Sequence, residues 1–195
     1  MEPGNALERG ITDDLTNALP SIDSSRAWAV QGGGLITAYA QYAHLLGLDV
    51  AIEADPNVAV TIGRDYLIRP DVTVGIDNIP AHEPLALLHA AVSCKWTIRS
   101  DRVQNVRHEF GRMIRHRRGR LPHLVAVTAE PLPSRLVSIA RGTGEVDDVY
   151  HMTYRELHEA VLASNNAYQA ECWREITGQK RIRDYNELAE NLASW

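Results

Sequence analysis

AVSCKWTIRSDRVQNVRHEFGRMIRHRRGRLPHLVAVT, residues 91–128, passes through three hydrophobic patterns in succession. Residues 91–98, AVSCKWTI, predict a strand. If Val92, Cys94, Trp96 and Ile98 pack inward, Ser93 and Lys95 share the opposite face by strand alternation. Residues 101–118 predict a helix, because Val103, Val106, Phe110, Met113 and Ile114 fall on one stripe at helical spacing. Gly119 and Pro122 stop that helix. Residues 123–128, HLVAVT, form a continuous apolar run, the pattern of a central strand covered on both faces. Strand, helix and buried strand in that order make an α/β unit. The predicted class is α/β, a mixed central sheet flanked by helices.

Working outward, residues 134–140 predict a short helix, residues 149–152 a last strand, and residues 154–163 another helix before a helical or irregular tail. Upstream, VAVTI from Val58 and YLIRPDVTVGI to Ile76 predict strands broken by a turn. Residues 82–89 fit a short helix or an extended lead into the next strand. Residues 34–47 predict a helix from the spacing of Leu35, Ile36, Tyr39, Tyr42, Leu45 and Leu46. Residues 1–25 are polar and are expected to be a loose lead-in, with residues 26–195 forming a single domain.

Composition narrows the class of function. No run of about 18 uncharged apolar residues is present, so no transmembrane helix is expected. The stretch Met1–Gly10 carries Glu2 and Glu8 and has no apolar region of the secretory kind, and the chain has two cysteines, Cys94 and Cys172. Both features point to the reducing cytoplasm. The net charge of −5 hides a strong asymmetry: residues 95–120 carry +7 and the rest −12. A basic stretch on an acidic body suggests one surface that faces an anion, or else a solvated helix face. Arg112–Arg120 (RMIRHRRGR) would grip phosphate if it faces a cleft. The eight histidines show no metal-ligand spacing. Gly32–Gly34 lacks the Lys-Ser/Thr of a nucleotide phosphate loop. Trp96 is expected in the core.

Three residues carry chemistry. Asp71 follows Pro70 at the start of an apolar stretch; a carboxylate there suits magnesium, a hard cation, though Pro-Asp is also an ordinary turn pair. Lys95, in mid-strand, either marks an exposed sheet face or supports charge on a phosphate and orients the attacking water. Glu109, on the following helix, either returns to the metal or pairs locally with Arg112. Together these are the parts that phosphodiester hydrolysis needs. Arg99, Asp101 and Arg102 contain the chemistry for reading G·C pairs, since an arginine fork matches guanine O6 and N7 and a carboxylate accepts from cytosine N4. Asp101 has a second reading as a helix N-cap, aided by Ser100.

The string SCKWTIRSDRVQNVRHE (Ser93–Glu109), with GRLPHLVAVTAEPLPSRLVSIARGTGEVDDVYH (Gly119–His151), closely resembles NgoMIV-type restriction endonucleases, within the PD-(D/E)XK nuclease superfamily. The likeness runs from about Asp71 onward. It implies a restriction-endonuclease-like sandwich and a type II enzyme of a restriction-modification system that hydrolyses double-stranded DNA. The implied target is a CCGG-centred palindrome, GCCGGC cut as G/CCGGC, with magnesium. It implies that Asp71, Glu109 and the backbone carbonyl of Cys94 hold the metal, that Lys95 lies by the scissile phosphate and the attacking water, and that Ser93 and Cys94 complete the catalytic set. It further implies that Arg99, Asp101 and Arg102 read the inner CCGG, that Arg135 reads the outer pair, that Gln31 reaches the minor groove, and that the enzyme is a homo-oligomer, a dimer or tetramer.

The family places one more Glu on the helix before the Pro-Asp strands. Matching puts that place at or near Ala38, where no acid stands; Glu53 and Asp55 lie nearby without a match. The family's enzymes are also longer at the N-terminus. The alternative is therefore a CCGG-binding protein of the same fold with weakened or lost cleavage. A third reading is a repair or recombination nuclease that uses the same arginines on phosphates.

Overall fold

The computed structural model describes residues 3–54, 66–77, 85–142 and 144–195. One mixed sheet organises it, with strands in sequence order: β1 (Ala27–Gly32), β2 (Val72–Asp77), β3 (Leu87–Lys95), β4 (His123–Thr128), β5 (Asp148–His151) and β6 (Ile182–Asp184). The first three are antiparallel neighbours and the last three join β3 in parallel. The helices are α1 (Pro3–Ile22), α2 (Leu46–Ala54), α3 (Ser100–His116), α4 (Pro133–Ala140), α5 (Tyr154–Ala163), α6 (Ala167–Gly178) and α7 (Leu188–Ser194).

The two faces of the sheet carry separate cores. Along β4, Leu124 and Ala126 enter one core with Val106, Phe110 and Met113 of α3, while Val125 and Val127 enter the other with Leu7, Ile11, Leu15 and Leu19 of α1. This is the strand period of two at work, and it explains why HLVAVT is apolar throughout. On α3, Val103, Val106, Phe110 and Met113 are all buried on one stripe. Burying such side chains contributes about 1.5–3 kcal/mol each, an upper bound before chain entropy is counted. Pairing of β2 with β3 skips His89, so β3 carries a bulge there. Beyond the bulge the register places Ala91 on the α3 face and Val92 and Cys94 on the α1 face.

Several expectations are corrected. Residues 3–22 are no loose lead-in: α1 buries Leu7, Ile11, Leu15 and Leu19, spaced by four. Its polar composition belongs to the outward faces of an amphipathic helix. Residues 34–47 do not make one helix. They form two short 3-10 turns, Ile36–Ala38 and Ala43–Leu45, because Tyr39, Tyr42 and Gln41 are drawn inward in an irregular path. The buried Gln41 amide pairs with Leu88 in both directions, donating to its carbonyl at 2.7 Å and accepting from its N–H at 2.9 Å. The strand at residues 148–151 is not the last, since β6 follows it. Trp96 is not core: it lies one residue past the end of β3 and is 46% exposed. The expected strand at Val58 and the residue Asp55 lie outside the described residues.

Candidate active site

The end of β3 meets the start of β2 because the two strands are antiparallel, with Val72 opposite Val92. Asp71 therefore stands beside Ser93 and Lys95. Its Oδ2 accepts three bonds: from the Cys94 backbone N–H at 2.6 Å, from Lys95 Nζ at 2.6 Å and from Ser93 Oγ at 3.3 Å. Asp71 and Lys95 are both half-buried, so their ion pair is only partly screened by water. The Cys94 thiol is buried, and burial, then the Asp71 charge, push it far above the ordinary thiol range. It is an inert packing group, and only its backbone faces Asp71.

Two further carboxyls feel this pair, one from each helical layer. Glu109, on the α3 side, is raised to about 7, first by burial and then by the Asp71 charge, with Lys95 and Arg112 pulling the other way. Glu8, on the second turn of α1, is raised by burial and by Asp71, against Lys95 and Arg9. Gly32 ends β1 opposite Val72, and a Cβ there would come within 3.3 Å of Glu8 Oε1. A glycine thus lets α1 approach the sheet edge closely enough to present this acid. The place at or near Ala38 lies instead in a 3-10 turn, with Ala38 exposed. Sequence reasoning misses Glu8 because the polar composition of residues 1–25 predicts a loose lead-in; the four-residue spacing beginning at Leu7 is the signal that reveals the helix carrying it.

Carboxyls driven toward the neutral form by burial and by the Asp71 charge are relieved by a cation, and oxygen donors suit a hard one. Among the described residues no three acidic, His or Cys side chains stand close enough to hold an ion as a set. Magnesium sites commonly use one or two carboxylates, with water and substrate phosphate filling the rest, so the residues present fit that ion.

The DNA-reading candidates spread around this edge. Gln31 is exposed on β1, opposite Thr73, and its carbonyl accepts from Thr73 Oγ1 at 3.2 Å. Arg99 is exposed and occupies the N-cap position of α3, so the helix begins at Ser100 rather than being capped by Asp101. Asp101 and Arg102 fall in the first turn of α3, and their side chains lie outside what is described. Arg135 is in the first turn of α4, half-exposed, with Nη1 3.4 Å from Glu130 Oε2. Arg117, Arg118 and Arg120 are exposed beyond the end of α3, roughly 10 Å of helix past Glu109. They do not join the Asp71–Lys95 pair. No helix among the described residues is long and apolar enough to cross a membrane.

Comparison with known proteins shows what the chain is similar to. The family model of the NgoMIV restriction enzyme matches residues 2–83 and 78–194, two pieces that overlap in the segment between β2 and β3. The chain is 39% identical over 220 residues to the Type II restriction enzyme NgoMIV of Neisseria gonorrhoeae, covering 97% of this chain and 77% of that protein. Among solved structures, the pre-specific restriction endonuclease BsaWI–DNA complex aligns with a TM-score of 0.48 at 12% identity, covering 98% of this chain and 60% of that one.

Proposed function

Because the chain belongs to the NgoMIV restriction enzyme family, we propose that it is a type II restriction endonuclease that hydrolyses double-stranded DNA at a CCGG-centred palindrome, GCCGGC cut as G/CCGGC. The observation that carries the chemistry is the single Asp71 oxygen that receives Ser93, the Cys94 N–H and Lys95 while Glu109 and Glu8 press on it electrostatically.

Asp71 and Glu109, with the Cys94 backbone carbonyl, would hold magnesium; when bound, the ion supplies Lewis-acid stabilisation of the phosphate and a nucleophile at neutral pH. The remaining work belongs to the chain. Lys95 Nζ, held by Asp71, places a fixed positive charge where a phosphate oxygen gains negative charge, and it can orient the attacking water. The water oxygen bonds to phosphorus, the phosphorus–O3′ bond breaks, and the departing oxygen takes up a proton, leaving a four-base 5′ overhang. Ser93 Oγ and the Cys94 N–H hold the Asp71 carboxylate in one orientation, so its geometry is set before substrate arrives. Glu8, carried on α1 at the other face of the sheet, would supply a further oxygen donor if a second magnesium ion binds.

Arg99, Asp101 and Arg102 read the inner CCGG in the major groove. Arg135 reads the outer pair, and Gln31 reaches the minor groove. A homo-oligomer, a dimer or tetramer, and a place in the cytoplasm complete the reading. The test is cleavage of a plasmid with two GCCGGC sites in magnesium, with the ends sequenced and Lys95→Ala as control. Cutting at that site, lost in the variant, supports the reading. Absence of cutting with CCGG-selective binding in calcium replaces it with a non-cleaving binder of the same fold.

A further inference from the structure

Glu130 has no part in the chemistry above, yet it is fully buried, with 0% exposure. It sits in the segment between β4 and α4. Its carboxylate takes three donors: the Leu132 N–H on Oε1 at 3.1 Å, the Ile98 N–H on Oε2 at 2.8 Å, and Arg135 Nη1 on Oε2 at 3.4 Å. Its own backbone is fixed as well. The N–H donates to Thr128 Oγ1 at 3.1 Å, and the carbonyl lies 3.0 Å from His151 Nε2. A carboxylate buried this deeply is tolerated only when its oxygens are satisfied in a set geometry, so its partners are held as firmly as it is.

Two of those partners belong to DNA-reading elements. Ile98 directly precedes Arg99 and the start of α3. Arg135 opens α4, and one nitrogen of its fork meets the same Glu130 oxygen as Ile98 does. The Arg135 side chain is 49% exposed, and a guanidinium carries five donors, more than its contact with Glu130 uses. We propose that Glu130 is a positioning residue that ties the inner-base and outer-base readers to one buried carboxylate, so that the palindrome is recognised as a unit and not as independent pairs. The proposal rests on the DNA-reading roles given under Proposed function.

The test is equilibrium binding of the full chain in calcium to three duplexes: GCCGGC, the same site with an inner pair changed, and the same site with an outer pair changed. Glu130→Gln keeps the side-chain volume but places an amide NH2 against backbone N–H or guanidinium donors. Discrimination at the inner and the outer pair is expected to fall together, about tenfold each, the scale of one bidentate base contact. Affinity for unrelated DNA, which comes from phosphate contacts, is expected to stay unchanged. A purely structural role would lower the melting temperature and leave both discrimination ratios intact, and that result overturns the proposal.

Arg135→Met provides an arm that does not depend on the folding of the first variant. It is expected to weaken inner-pair discrimination as well as outer, and combined with Glu130→Gln to add no further loss. An effect of Arg135→Met confined to the outer pair, or no effect at all, overturns the coupling. Wild-type protein without CCGG preference overturns the parent reading and this one with it. Wild-type preference with unchanged ratios in both variants overturns this one alone.

Discussion

Two helices press carboxyls toward Asp71 from opposite faces of the sheet, and they do so differently. α3 brings Glu109 in beside Phe110, a residue with 0% exposure, and Glu109 is raised to about 7. α1 brings Glu8 to a groove it shares with Asn5, Arg9, Thr12 and Gly32, and its carboxyl is raised less far from the ordinary range. In both cases burial is the first cause and Asp71 the second. Burial therefore decides how strongly each carboxyl is pushed toward its neutral form, and a cation that binds here and restores the charged form relieves more of that shift at Glu109 than at Glu8.

The largest effect is expected where both sides converge. Lys95→Ala should lower the cleavage rate at least about 100-fold, the scale of removing one preorganised charge-stabilising donor. It should leave DNA binding in calcium in place. Initial rates on a single-site duplex check this, and a loss below tenfold would make Lys95 a mere sheet-face residue.

Next come the cores that hold the two helices. Phe110→Ala on α3 and Ile11→Ala on α1 both truncate buried side chains, and losses of roughly 3–5 and 2–5 kcal/mol follow for such sites. Urea unfolding measures both. If Ile11→Ala costs under about 1 kcal/mol, α1 is a detachable arm, and the two faces of the sheet are not equivalent layers.

That comparison also shows what could be read from the chain. Residues 101–128 were legible because α3 and β4 are periodic and buried on the sides their patterns announce: Val103 to Met113 for α3, and alternate entry of residues 124–127 into the two cores. The strand before them was legible only in part, since β3 ends at Lys95, Trp96 is exposed and Ile98 enters the core opposite Val92 and Cys94. The juxtaposition of Asp71 with Lys95 follows from one antiparallel pairing, and Glu109 on the next helix comes near enough to feel the Asp71 charge. α1 was not, since between its four leucine and isoleucine anchors it carries Thr, Asp, Asn and Gly, and composition outweighed period. Residues 34–47 misled in the opposite direction: their apolar spacing fits a helix, but Gln41 and the tyrosines satisfy tertiary partners, among them Tyr39 Oη, which donates to Thr73 Oγ1 at 2.8 Å. Glu130 carried no local signal at all, because its partners at Ile98 and Arg135 are joined only by the fold.

The pH dependence sharpens the α3 side. With chelator present, Glu109 binds its proton more tightly folded than unfolded, so its contribution to stability is present below the ordinary carboxyl range near 4.5 and is lost as pH rises through about 7. The full span is on the order of 3 kcal/mol at most. Glu109→Gln, which cannot charge, should be more stable than wild type at pH 8 and nearly equal to it at pH 4. His89 works in the other direction, held down to about 4 by burial, so its stabilisation is lost as pH falls below its ordinary 6.5. It is the same in both proteins and drops out of the difference. Thermal unfolding of the two proteins across that range settles the sign. Added magnesium should close the gap at pH 8 by stabilising only the wild type.

The smallest expected effect is on the α1 side, and it is the one that most directly tests the asymmetry. Glu8→Gln removes the charge but keeps the helix and its anchors. A shift of roughly tenfold in the magnesium concentration needed for half-maximal cleavage is expected, at the low end of what supporting groups of a metal site contribute. Glu109→Gln should shift it further, and the double variant should exceed either alone. If Glu8→Gln instead matches Glu109→Gln, the depth argument fails, and the two helices supply equivalent ligands despite their different burial. If Glu8→Gln changes neither the magnesium requirement nor the rate, its proximity to Asp71 is electrostatic crowding alone, and Gly32 makes room for the packing of α1 and not for its acid.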